Sequence, residues 1–282
     1  MRNIVDAIIE AIRYPKYELK EYSISHNRAN QMGEALEEYI KDIFAGSVGV
    51  IDQNERNRLL NETFCYLGNV NNPPDSMLRN GGAAIEVKKI ESSGSALALN
   101  SSYPKAKLYS DSGMINNQCR QCEQWVERDM IYAVGVIDGD RLRSLALVYG
   151  VDYCSEKSVY TRIKDIIKSG VESVSGIEFA ETKELGRVNR VDPLGITSLR
   201  VRGMWHIENP FRVFDYIYKC DHTREFNLMS IINNDKIKDL GNFSDLEELA
   251  ETTDGLLISD ERIKTPDNPA VLRDVKLITY SV

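Results

Sequence analysis

The sequence predicts a mixed α/β fold, a β-sheet flanked by helices, on three observations. Segments with helical apolar spacing alternate with apolar runs of strand length, such as "MIYAVGVI" at 130–137. The strand runs include hairpins, marked by the turn signals Asn80-Gly81 and "DGDR" at 138–141. No internal repeat, low-complexity tract or clear linker divides the 282 residues, so one domain over 1–282 is expected.

Taken in order, residues 2–13 read as a helix, with Ile4, Ile8 and Ile12 on one face and Pro15 ending it. The stretch "NQMGEALEEYIKDIFA" reads as a second helix. Met32, Leu36, Tyr39, Ile40 and Ile43 form its stripe, and Asn30 is its expected N-cap. Residues 63–69 read as a strand, 75–90 as a hairpin, and 130–138 with 143–153 as two further strands. A helix is expected over 155–170 with Ser155 as cap, strands over 196–207 and 225–233, and a short helix over 244–251 capped by Ser244. The end, "VLRDVKLITYSV", reads as a strand.

Composition narrows the function classes. Apolar residues make up 42% and charged residues 28%, as in ordinary globular proteins. No run approaches the ~20 apolar residues of a membrane helix, and the N-terminus lacks the apolar core of a signal peptide, so a cytoplasmic location with no membrane partner is expected. The five cysteines point to free thiols. Net charge is −8, yet its distribution is uneven. Residues 235–282 hold six basic and eleven acidic residues and are a candidate acidic C-terminal subdomain; residues 183–224 hold eight basic and five acidic. A locally basic cleft can therefore coexist with an acidic total.

The segment that carries chemistry is "NNPPDSMLRNGGAAIEVKKIE" at 71–91. A two-residue type I′ turn at Asn80-Gly81 pairs Asp75 with Glu86, with Cβ atoms about 4.5–5.5 Å apart on one face. Two carboxylates so placed repel unless one is protonated or a cation lies between them. A hard divalent ion with oxygen ligands relieves that repulsion. Strand alternation puts Ala84, Glu86 and Lys88 on the same face and turns Ile85 and Val87 toward a core. Two anions and a cation on one face suit metal-assisted phosphodiester hydrolysis, with Asp75 and Glu86 as ligands and Lys88 as catalytic lysine. A three-residue loop would set Asp75 against Val87 instead, and a surface hairpin of solvated charges is the plain alternative.

Pro74-Asp75 followed by Glu86-Val87-Lys88 resembles the PD-(D/E)XK nuclease signature. More of the chain, including "NRANQMGEALEEYIKD", "YLGNVNNPPDSML", "AIEVKKIESSGSALALNSSYPKAKLYSDS" and "TKELGRVNRVDPLGITSLRVRGMW", resembles the NgoPII-type family of type II restriction endonucleases. The similarity spans roughly residues 27–220. It implies a restriction-endonuclease-like sheet and a Mg²⁺-dependent cleaver of double-stranded DNA at a short palindrome, GGCC. A homodimer with one active site per strand is the matching expectation.

DNA contacts are expected from two places. "GRVNRVDPLGITSLRVR" carries Arg187, Arg190, Arg200 and Arg202 with one acid, Asp192, and arginine suits guanine edges as well as phosphates. "LALNSSYPKAKL" offers Asn100, Ser101, Ser102 and Lys105. Among Glu34, Glu37 and Glu38 on the second helix, Glu37 is the candidate for a third metal ligand. Cys119 and Cys122 form a CxxC that a zinc site would need Cys220 and His222 to complete. A repair or junction nuclease of the same fold, a non-catalytic DNA-binding module and a zinc-stabilised interaction protein are the competing readings.

Overall fold

The computed structural model describes residues 1–15, 17–19, 28–69, 71–173, 178–179 and 186–282. His26 and the stretch 182–185 lie outside them. Three helices open the chain: α1 (Ile4–Arg13), α2 (Arg28–Ala45) and α3 (Gln53–Thr63). Strands β1 (Phe64–Tyr66), β2 (Ser76–Leu78) and β3 (Ala84–Ile90) follow, then β4 (Leu97–Ala98), β5 (Lys107–Tyr109) and α4 (Asn117–Gln121). The long hairpin β6 (Glu127–Asp138) and β7 (Arg141–Tyr149) leads into α5 (Gly150–Tyr153) and α6 (Lys157–Glu172). Next come β8 (Glu178–Phe179), β9 (Gly186–Asn189), β10 (Leu199–Val201), β11 (His206–Ile207) and α7 (Pro210–Val213). The order ends with β12 (Asn227–Asn233), α8 (Asn234–Asp239), α9 (Phe243–Thr252), β13 (Leu256–Lys264) and β14 (Leu272–Ser281).

The main sheet runs β1-β2-β3-β6-β7-β12-β14-β13, with β5 paired to β6 beside it. β3 is parallel to β6 and β7 is parallel to β12, while the other neighbours on this path are antiparallel. It is the mixed α/β sheet that the sequence predicts. The acidic stretch after residue 235 supplies β13 and β14 of this sheet.

Both faces of the central strands are covered, which is why they read as apolar runs. Ile85 and Val87 of β3, with Ile131 and Ala133 of β6, enter a core shared with α1 and α2. Ala84 and Ile90, with Met130, Tyr132 and Val134, enter a second core on the other face. The α2 stripe Met32, Leu36, Tyr39, Ile40 and Ile43 is buried as its spacing requires. Gly135 lets α2 approach closely: a Cβ there would stand 2.7 Å from Leu36 Cδ2.

Several boundaries differ from the sequence expectation. α2 begins at Arg28, so Asn30 lies inside the helix and does not cap it. α6 has Glu156 at its N-cap, and the Ser155 hydroxyl donates to the Pro266 carbonyl instead. α9 starts at Phe243 with Asn242 at the cap position, ahead of Ser244. The strand expected over 196–207 is two short strands, β10 and β11, which join different sheets. α3 is absent from the sequence reading because its only buried residues are Leu60 and Thr63. Among the described residues no helix is long and apolar enough to cross a membrane.

Candidate active site

The β2–β3 hairpin sets the site. Ser76 pairs with Ile85 and Met77 with Ala84, and that register continues outward to place Asp75 opposite Glu86. Asn80 and Gly81 have φ of 57° and 85°, the left-handed conformations that a type I′ turn requires. The Gly82 N–H closes the turn on the Arg79 carbonyl at 3.1 Å, and the Asp75 N–H donates to the Ile85 carbonyl at 3.0 Å. The two-residue turn therefore holds, and the three-residue alternative does not.

Lys88 Nζ lies 2.7 Å from Glu86 Oε1 and 3.9 Å from Asp75 Oδ2. Side-chain exposure is 17% for Asp75, 13% for Glu86 and 23% for Lys88, so the three charges share a largely desolvated space. The Val87 N–H donates to Asp75 Oδ2 at 2.6 Å, which fixes that oxygen. Burial first, and the facing Glu86 second, push the Asp75 carboxyl up to about 7 against the opposing pull of Lys88. Burial works against a charged Lys88, but Glu86 and Asp75 outweigh it and hold the ammonium above the usual lysine value. Lys89, on the opposite face, pairs with Glu91 at 3.1 Å.

Glu86 Oε2 is buried with no hydrogen-bond partner among the described residues. A buried carboxylate oxygen left unmatched is costly, and a hard cation is the partner its chemistry suits. Together with the Asp75 carboxyl opposite, this donor set fits a divalent metal. Glu37 on α2 is half-buried and raised by burial, with Lys88 and Glu86 both felt at its carboxyl. Among the described residues, however, no group of three His, Cys, Asp or Glu side chains gathers to hold an ion. Glu38 is engaged by Lys41 and Arg56, both at 2.7 Å.

A cleft of about 270 Å³ opens over the trio and is lined also by Asn69, Asn72, Asn100, Ser101, Ser102 and Met114. The structure thus brings Asn100, Ser101 and Ser102 to the mouth of the site. Their loop is pinned against the residues following Arg202: the Leu99 N–H donates to the Trp205 carbonyl at 2.8 Å, and the Trp205 N–H donates to the Asn100 carbonyl at 2.8 Å. Lys105 is placed differently. It is 8% exposed, its ammonium donates to the Ser102 hydroxyl, and burial lowers its pKa. Its backbone N–H donates to the Tyr132 hydroxyl at 2.7 Å, which anchors the loop on the sheet.

The four arginines lie on or beside the small sheet β10-β9-β8, and all are exposed. Arg187 and Arg200 are direct cross-strand partners. Arg190 follows β9 and Arg202 follows β10.

Sequence reasoning missed Gly68, Asn69, Asn72 and Met114. A Cβ on Gly68 would stand 2.3 Å from the Asp75 carbonyl oxygen, so this glycine seats the backbone of Asp75. Asn69 Oδ1 accepts the backbone N–H of Asn71 and Asn72, and the Asn72 amide donates to the Met114 carbonyl at 2.9 Å. The Gly in "YLGN" was the one available signal. Of the CxxC pair, Cys122 Sγ meets Cys65 Sγ at 3.1 Å, while Cys220 lies against Ser144.

A mixed sheet flanked by helices, with two carboxylates and a lysine at a hairpin's open end, is consistent with the restriction-endonuclease-like class of folds. The chain belongs to the NgoPII restriction endonuclease family, whose model matches residues 2–264. It is similar to the "Type II restriction enzyme NgoPII" of Neisseria gonorrhoeae, with 55% identity over 281 residues, 99% of this chain and 99% of that one. No solved structure matches it.

Proposed function

We propose that this chain is a type II restriction endonuclease that hydrolyses double-stranded DNA at a short palindrome, GGCC, using Mg²⁺ and acting as a homodimer with one cutting site per strand. Asp75, Glu86 and Lys88 are the catalytic residues. Family membership supports the reaction class, and the observation that carries the site is the buried Glu86 Oε2, unpartnered among the described residues, beside Asp75 and Lys88.

Asp75 and Glu86 would hold the metal, with Glu37 the candidate third carboxylate. Bound Mg²⁺ supplies Lewis-acid polarisation of the scissile phosphate and a lower pKa for water. The protein's own residues do the rest. Lys88, kept protonated by its two carboxylates, orients the attacking water and offsets the charge that builds on the phosphate oxygens. The Val87 N–H keeps Asp75 at its post. The Lys105 ammonium steadies the Ser102 hydroxyl at the cleft wall, so Lys105 serves the DNA-binding loop from beneath. Asn100, Ser101 and Ser102 meet the DNA at the cleft, and Arg187, Arg190, Arg200 and Arg202 engage its backbone and guanine edges.

Incubation with plasmid DNA and Mg²⁺, followed by mapping of fragment ends, tests this. GGCC at every end is expected. Cuts that follow junctions or flaps would reveal a repair nuclease instead, and no cutting would reveal a binding module.

A further inference from the structure

We propose that the face of α6 bearing Lys157, Lys164 and Lys168 is a docking track for the sugar-phosphate backbone of the duplex flanking the cut site. This rests on the reading above that DNA is the substrate, and extends it from the loop of Lys105 to the face of α6 across the same trough. Positions 157, 161, 164 and 168 recur at the spacing of one helix face. All four line one trough of about 620 Å³. Lys107 and Tyr109 of β5 form its other wall. Met114 lines both this trough and the catalytic cleft, so the two lie side by side. The hydrogen bond from Lys105 to Ser102 crosses the partition between them.

Charge identifies the ligand class. Five lysines and two aspartates line the trough; Lys105 is turned to Ser102 and Lys107 pairs with Glu127, so the α6 row supplies the cations open to a ligand. Lys164 is half-buried and has no ion-pair partner among the described residues. Lys157 faces Asp111 and Lys168 faces Glu172, each at 3.7 Å, and all four side chains are more than 40% exposed. Such solvated pairs are weak and yield readily to phosphate. Lys164 and Lys168 stand about 6 Å apart along the helix axis, from four residues of rise. A row of cations on a rigid helix, leading away from a phosphodiester-cleaving cleft, suits a polyanion better than one small anion.

The test uses the full chain and two duplexes with the same central target, one with short flanks and one with long flanks. Binding is measured without divalent metal over a range of salt. The parent is expected to bind the long duplex more tightly. Lys164→Gln with Lys168→Gln should abolish that preference and lower the log–log salt slope by about two, because each lost phosphate contact removes about one released counterion. Affinity for the long duplex at about 0.1 M salt should fall on the order of 10- to 60-fold. Cleavage of the short duplex should stay at the parent rate, and Lys164→Arg with Lys168→Arg should restore the preference. A glutamine variant whose salt slope is unchanged, or whose long-duplex affinity stays within twofold of the parent, overturns the track. Parent cleavage of the short duplex at its target reports separately on the catalytic reading, which stands or falls by that result alone.

Discussion

Replacing Asp75 with asparagine keeps the side chain's shape and removes its charge. In the parent, burial and Glu86 lift this carboxyl from 3.8 to about 7. The folded state therefore binds a proton that the unfolded chain has released between about pH 4 and 7, and stability falls as pH rises through that window. A carboxyl so lifted corresponds to a few kcal/mol at most. The substitution recovers less, because Lys88 loses an anion 3.9 Å away while keeping Glu86 at 2.7 Å. An amide oxygen still accepts from the Val87 N–H. The expected outcome without metal at pH 8 is a gain of about 1–3 kcal/mol, or roughly 2–8 °C in Tm, that vanishes below about pH 4. Thermal and urea denaturation in chelator at pH 4, 6 and 8 measures it. An Asp75→Asn chain less stable than the parent at pH 8, or a difference constant across the range, refutes the electrostatic account. Adding Mg²⁺ should stabilise the parent and leave the variant nearly unmoved.

Lys88→Ala should lower kcat about 100- to 1000-fold, the usual cost of losing a preorganised charge in the transition state, and leave DNA affinity within a few-fold; parallel cleavage and binding assays separate the two. Gly68→Ala forces a side chain into φ +83° and onto the Asp75 carbonyl. It should cost about 1–3 kcal/mol and reduce cleavage by more than it reduces binding, as denaturation and kinetics would show. Arg200→Ala removes one of two facing guanidinium groups and should lower the salt slope by about one. An unchanged slope in a salt titration would place that arginine off the DNA.

The hairpin was legible because one dipeptide fixes it. Asn80-Gly81 permits a narrow set of turns, and the register of a two-residue turn then follows by counting back from 80 to 75 and on from 81 to 86. The central strands were legible because burial on both faces leaves an apolar run. α3 was not, since a helix that buries two residues has almost no periodic stripe. The run 196–207 looked like one strand, but its end pairs with β4 near the cleft and its start with β9, and no local pattern records that change of partner. Lys105 reads as a surface cation in sequence. It is buried beside Tyr132, whose hydroxyl takes its backbone N–H at 2.7 Å, a contact across 27 residues that no local pattern records. Met114 and Asn72 belong to loops, where spacing carries no information about proximity.

The two carboxylates are mounted unequally. Glu86 sits within β3, which is hydrogen-bonded to β2 on one side and to β6 on the other. Asp75 stands one residue before β2, where a loop of asparagines and prolines delivers the chain to the sheet. Fraying under mild urea starts where ladder bonds are few. The loop-borne half of the pair should then drift from its strand-borne partner while the sheet is still whole. Catalytic competence and overall foldedness would thus have separate melting thresholds, with the enzyme falling silent before it comes apart.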